Sequence, residues 1–140
     1  MESELRDHAI VCGYGLVGEK VVEILQQHGI KIVMVELNPD KVRLLQDKGL
    51  TVVQGDATSS KVLRTAGIEK AKVIAIAMDN DAKDLFTVIT AKSLNDRIII
   101  ATRANDELLK EKLKEAGANF VATPNKSASD ELFKELIKGI

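Results

Sequence analysis

Short apolar, β-branched runs recur about every twenty residues along this 140-residue chain, each followed by a segment of helical period. They fall at residues 9–12, 31–35, 51–53, 73–76, 98–100 and 120–121. The runs are near-continuously apolar and do not alternate with polar residues. That pattern predicts parallel strands covered on both faces, because a sheet wetted on one side alternates. Strand and helix in strict alternation then require right-handed crossovers. The expected fold is α/β: a doubly wound, parallel, six-stranded Rossmann-like sheet with helices on both faces. Its expected strand order is 3-2-1-4-5-6, which opens a ligand crevice at the C-terminal ends of strands one and four.

Helix boundaries follow from capping chemistry. Asn38 followed by Pro39 reads as an N-cap and first helical position. Ser59, Asp81 and Asn105 are the expected N-caps of the third, fourth and fifth helices. Gly29, Gly49, Gly67 and Gly117 read as left-handed helix stops. A last helix, about 127–139, starts near Ser127 after Pro124 and carries an apolar stripe of Leu132, Phe133, Leu136, Ile137 and Ile140. Residues 1–140 form a single domain with no linker or low-complexity tract. A chain of this size buries roughly 68–70% of its unfolded surface and needs no disulfide or metal staple.

The formal net charge is −1, with no basic stripe, which argues against a nucleic-acid partner. Cys12 is the single cysteine. It lies inside the first apolar run and is expected to be a small buried side chain in a reducing compartment. No apolar stretch reaches the roughly 18 residues of a membrane span, and the charged start lacks the apolar core of a signal peptide. The reading is a soluble, cytoplasmic chain. His8 and His28 fall away from strand C-termini and are assigned structural roles.

The first run leads into Gly13-Tyr14-Gly15-Leu16-Val17-Gly18, a G-x-G-x-x-G turn, and Val17, Val21, Val22 and Leu25 then share one helix face. Strand, glycine turn and helix are the context in which that motif binds dinucleotides. Gly13 permits the tight bend, Gly15 admits a pyrophosphate close to the backbone, and Gly18 lets helix and strand approach. The phosphates would rest on the helix N-terminus, where free N–H groups and the helix dipole favour an anion.

Glu36, at the end of the second run, lies eighteen residues beyond Gly18, where such folds place the acid that accepts ribose hydroxyls. A carboxylate there repels a 2′-phosphate, so NAD(H) or an adenine nucleotide (ATP, ADP, AMP) is favoured over NADP. Asn38 would touch the adenosine or serve only as a cap. Asp56, in Gly55-Asp56-Ala57-Thr58, either contacts base or ribose or merely shapes its turn. Met78 and Asp79 border the crevice from the opposite side. Asp79, Asn80, Asp81 and Asp84 hint at a divalent ion, although helix capping and dipole complementarity account for them more simply. Arg103, with Thr102 after the fifth strand, either reaches a phosphate or forms a surface ion pair with Asp79 or Glu107. No metal ligand set is assigned. A dehydrogenase needs a proton-transfer group and a substrate-holding body, and neither is encoded here. A short NAD-dependent oxidoreductase and an empty scaffold stand as rival readings.

With these motifs in place, the whole chain resembles the regulator of potassium conductance (RCK) family, also called KTN or the TrkA N-terminal domain. The resemblance covers roughly residues 7–138. It rests on His8-Ala9-Ile10-Val11-Cys12-Gly13-Tyr14-Gly15-Leu16-Val17-Gly18, on Gly55-Asp56-Ala57-Thr58, on Ala116-Gly117-Ala118 and on 121–124. It implies a non-enzymatic gating module on the cytoplasmic face of a potassium channel or transporter, assembled as a homodimer or higher ring. The smaller C-terminal lobe usual in the family is not expected within residues 1–140, and Leu5-Arg6-Asp7-His8 resembles the junction after a pore helix. By position, Gly13, Tyr14, Gly15, Leu16 and Val17 would hold phosphates, Glu36 ribose, and Asp56 with Ala57 adenine. Calcium-sensing members carry acids after the fifth strand, where this chain has Thr102 and Arg103, which argues against calcium at that position.

Overall fold

The computed structural model describes residues 5–123 and 126–139. Pro124 and Ile140, used in the sequence reading, lie outside them. In order, the elements are β1 (Ala9–Cys12), α1 (Leu16–Gln27), β2 (Ile32–Glu36), α2 (Pro39–Asp47), β3 (Thr51–Gln54), α3 (Ser60–Thr65), β4 (Val73–Ile76), α4 (Asp81–Leu94), β5 (Ile99–Arg103), α5 (Lys110–Ala116), β6 (Phe120–Ala122) and α6 (Lys126–Lys138). The strands form one parallel sheet in the order β3-β2-β1-β4-β5-β6, as the sequence predicts.

Side chains alternate across the sheet and divide the core in two. On one face Ile10, Cys12, Ile74, Ile76 and Ile100 pack with Leu63 of α3, Val88 and Ala91 of α4 and Leu113 of α5. On the other, Val11 and Met34 pack with Val22 of α1 and Leu45 of α2. Coverage of this second face stops short of β5 and β6. Register puts Val11, Ala75, Ala101 and Phe120 in one row, and Phe120, like Ile99 on the same face, stands exposed. The stripe of α6 is exposed too, with Leu132, Phe133, Leu136 and Ile137 each more than half accessible (54–67%).

Several boundaries differ from expectation. Thr102 and Arg103 are the last residues of β5 and not the start of its loop, because parallel pairing with β6 continues through both (Thr102 opposite Val121, Arg103 opposite Ala122). Asn80, not Asp81, caps α4, its Oδ1 accepting from the Lys83 amide at 3.0 Å. Asp106, not Asn105, caps the 3₁₀ turn Glu107–Leu109 that leads into α5, accepting from the Leu108 amide at 2.9 Å. In both places a second polar residue one position away competes for the cap, and the displaced side chain is used elsewhere. Asn38 and Ser59 cap α2 and α3 as read.

Candidate functional site

The C-terminal ends of β1, β2, β3, β4 and β5 open into a crevice of about 410 Å³. The glycine turn forms its floor. Gly13 has φ +92°, a left-handed conformation that a side chain would strain, and an added Cβ would also meet the Ala77 carbonyl oxygen at 2.8 Å. A Cβ on Gly18 would overlap the Gly13 carbonyl oxygen, so α1 sits directly against the turn. A Cβ on Gly15, by contrast, would meet nothing within 4 Å. Its missing side chain therefore relieves no internal clash and leaves room for something else.

Above that space stands the N-terminus of α1. The N-caps of α2, α3 and α4 each accept a hydrogen bond from a helix amide, whereas α1 begins at Gly15 with no side-chain cap. A twelve-residue helix thus presents its positive end to the crevice without an internal partner. Leu16, 87% exposed, and Val17 line this edge.

Glu36 is buried at the end of β2. Its Oε1 accepts from the Tyr14 amide at 3.1 Å and its Oε2 from the Asn38 amide at 2.8 Å. These bonds fix the carboxylate on the crevice wall and leave further lone pairs free to accept hydroxyls. The Tyr14 hydroxyl accepts from Lys48 Nζ at 3.2 Å, which turns the ring toward the end of α2 and leaves its backbone as the part bonded to Glu36.

Asp56 closes an Asx turn, accepting from the Thr58 amide at 2.9 Å and the Thr58 hydroxyl at 2.8 Å. The Thr58 amide, then its hydroxyl, hold the carboxyl below the usual carboxylate range. Asp56 thus shapes its turn and also lines the crevice with Ala57.

The opposite wall holds Met78, Asp79, Asn80 and Arg103. The Arg103 side chain is only 15% exposed, and of the two ion pairs considered from sequence it makes the one with the exposed Asp79. Its Nη2 donates to Asn105 Oδ1 at 2.9 Å and lies 3.9 Å from Asp79 Oδ1. Asn105 in turn donates from Nδ2 to Asp79 Oδ1 at 3.1 Å and from its amide to Asp81 Oδ1 at 3.0 Å. Asp79 and Asp81 both accept from Asn105 while Asp84 is buried apart, and among the described residues no three His, Cys, Asp or Glu side chains converge as a cation site would. Asp84 is fully buried, and among the described residues no side chain pairs with its carboxyl oxygens, the Met78 amide lying near them without a well-formed hydrogen bond. Burial pushes its carboxyl up to about 8, with Asp81 and Asp79 reinforcing and the Met78 amide and Arg103 opposing. Burial likewise pushes the Cys12 thiol above the thiol range.

The sequence reading thus places Gly13, Tyr14, Gly15, Leu16, Val17, Glu36, Asp56, Ala57, Met78, Asp79 and Arg103 on the crevice. Two assignments change. Gly18 sits behind the turn as a packing residue, and the Asn38 side chain is consumed in capping α2, accepting from the Asp40 and Lys41 amides at 2.9 and 3.3 Å. Lys41 and Lys83 were missed, yet both line the crevice. Each lies in the first turn of a helix that follows a crevice strand, so the position of Pro39 and of the Asn80 cap carried the signal.

The chain matches the family model of the TrkA-N domain over residues 9–124. It is 38% identical over 124 residues to probable potassium channel protein 2 of Methanocaldococcus jannaschii, covering 86% of this chain and 36% of that protein. The solved TrkA-N domain of inner membrane protein ybaL from Escherichia coli superposes with a TM-score of 0.87 at 27% identity, covering 95% of this chain and 98% of that one. The GsuK channel bound to NAD superposes with a TM-score of 0.77 at 25% identity, over 85% of this chain and 22% of that one. GsuK bound to ADP gives 0.78 at 25% identity, over 85% and 31%. The chain spans 21% to 37% of the length of three curated relatives that it matches at 34% to 39% identity.

Proposed function

We propose, from the premise that this chain belongs to the TrkA-N domain family, that it is a nucleotide-sensing regulatory domain of a potassium channel or transporter. It acts on the cytoplasmic face of the membrane and is not an enzyme. Its ligand is NAD(H) or an adenine nucleotide. The observation that carries this is the uncapped N-terminus of α1 standing over the open space at Gly15, with Glu36 locked on the adjoining wall by two amides.

A nucleotide fits these groups. Its phosphates take the α1 amides, its ribose hydroxyls donate to Glu36, and Ala57 and the Asp56 turn border the base. Lys83 and Arg103 add positive charge on the far wall, where a diphosphate or second nucleotide half would extend. The bound nucleotide supplies charge and contact area, not chemistry. It shifts a conformational equilibrium only by binding one state more tightly than the other.

The second state requires a partner, and the fold offers one. Ile99 and Phe120 on the sheet and the stripe of Leu132, Phe133, Leu136 and Ile137 on α6 are exposed apolar side chains on one chain, which supports a partner that covers them. Burying them in a homodimer, or in a higher ring, through α6 removes both from water. The dimer would pass changes at the crevice to a membrane subunit. Calorimetric titration with NAD, NADH, ATP, ADP and AMP tests the sensor: binding by none refutes it, and turnover of NADH with a small carbonyl compound refutes its non-enzymatic character. Sedimentation tests the assembly, and a strict monomer at high micromolar concentration refutes it.

A further inference from the structure

Beside the far wall of the crevice, α4 carries a buried acid and β5 a half-buried cation, and among the described residues each has a buried polar atom without a partner. Asp84 projects from the first turn of α4 with both carboxyl oxygens unpaired, and Arg103 at the end of β5 has an unpaired, buried Nε. They interact electrostatically without forming an ion pair, because the guanidinium is held outward on Asn105 and toward Asp79. Buried polar groups are nearly always bonded, so two groups with unpaired buried atoms on elements that pack together, α4 and β5, call for an explanation. A guanidinium with a free Nε and a crevice ahead of it has two alternative anions: a nucleotide phosphate in front and Asp84 behind.

We propose that Asp84 is a positioning residue for Arg103: with its carboxyl protonated the guanidinium serves the nucleotide phosphate, and with its carboxyl ionised the guanidinium is drawn inward and phosphate binding weakens. This rests on the reading of the crevice as a nucleotide site. The charged and titratable groups around Asp84 are Asp79 before α4, Asp81 in its first turn, Arg103 from β5 and Cys12 from β1. The two aspartates disfavour ionisation of Asp84. Burial keeps the Cys12 thiol neutral, which leaves Arg103 as the group that responds. The Asp84 carboxyl lies at about 8, so the exchange falls just above neutral pH. Placing Arg103 on a phosphate removes the cation that favours ionised Asp84 and adds an anion nearby. Nucleotide binding therefore takes up a proton, and its affinity falls as pH rises.

The test is calorimetric titration with ADP at pH 7 and pH 9 on the full chain, its Asp84→Asn variant and its Arg103→Gln variant. The parent is expected to lose about tenfold in affinity, the limit for one linked proton ionising at about 8. Asp84→Asn, an isostere of the protonated acid, is expected to change less than about twofold between the two pH values, with the titration of ADP and the crevice lysines common to both proteins. Arg103→Gln is expected to bind more weakly at pH 7 and to be equally flat. A flat parent, or a slope retained in either variant, overturns the proposal. If Asp84→Asn does not fold, the Arg103→Gln profile decides. A parent that binds no ADP at pH 7 overturns the crevice reading itself and the proton link with it.

Discussion

On the β1-β2-β3 flank of the crevice, the acids are held in place by the protein itself: Glu36 by the Tyr14 and Asn38 amides, Asp56 by the amide and hydroxyl of Thr58. On the β4-β5 flank, a carboxyl and a guanidinium lie buried with unpaired atoms, and the polar side chains that are paired hold one another across a loop junction. The first flank is already in its binding geometry, so a ligand meets little reorganisation there. The second holds free energy in unsatisfied groups, which an arriving anion or a departing proton can release. On the proposed function one flank recognises and the other responds, and substitutions on the two flanks would break that division.

The largest effect is expected at Gly18. A Cβ there overlaps the Gly13 carbonyl, and both atoms belong to packed backbone, so Gly18→Ala should lose about 4 kcal/mol or more of stability or fail to fold. Gly15→Ala should unfold within about 0.5 kcal/mol of the parent, because the new methyl meets nothing. It should lose nucleotide affinity at least tenfold, since that methyl occupies the phosphate space. Chemical denaturation and calorimetry on the two variants separate packing glycine from binding glycine. Equal stabilities would refute the distinction.

Asp84→Asn comes next and should stabilise. The Asp84 carboxyl rises from 3.8 in the unfolded chain to about 8 in the folded one. A group raised in this way contributes fully below its unfolded value, and its contribution is lost as pH climbs toward the folded one. At about 1.4 kcal/mol per pH unit, the penalty removed by the amide is on the order of 4 kcal/mol at pH 7 and close to zero at pH 4. Denaturation midpoints at the two pH values check it. A variant less stable than the parent at pH 7 would mean that Asp84 is a satisfied structural ion and that the two flanks do not differ.

Most of the first flank was legible in the sequence, because its parts are local. The glycine turn, the acid at the end of β2 and the Gly55-Asp56-Ala57-Thr58 turn each lie within a few residues of a strand end, and parallel register alone brings them together. The second flank was legible only in outline. Asp84 reads as one of a group of polar residues at a helix start, suited to a divalent ion or to the helix dipole, and nothing in its neighbours along the chain announces that α4 buries it. Asn105 was assigned to a cap because Asp106 offers the same chemistry one position later, and only the packing of the β5 end against the start of α4 chooses between them. Lys41 and Lys83 were hidden in the same way by helix phase.

Glu36→Gln keeps the shape of the side chain but weakens a charge-assisted acceptor. The loss should be about 1.5 to 3 kcal/mol, or roughly 10- to 150-fold in affinity for any ligand with a ribose diol. Discrimination against a 2′-phosphorylated dinucleotide should relax in parallel. An unchanged NAD or ADP affinity would remove Glu36, and with it the first flank, from recognition.

Asn105→Ala is the smallest and most diagnostic change. The Asn105 side chain ties Arg103 Nη2 to Asp79 and so holds the guanidinium outward, away from Asp84. These bonds are exposed, and losing them should cost no more than about 1 kcal/mol of stability. If the second flank responds through Arg103, cutting the tether frees the guanidinium to choose between Asp84 and phosphate. ADP affinity should then drop about two- to fivefold at pH 9, where Asp84 is ionised and competes, and stay within about twofold of the parent at pH 7. An equal drop at both pH values would mean that Asn105 only orders the loop, and that the cation on this flank is as fixed as the carboxylate on the other.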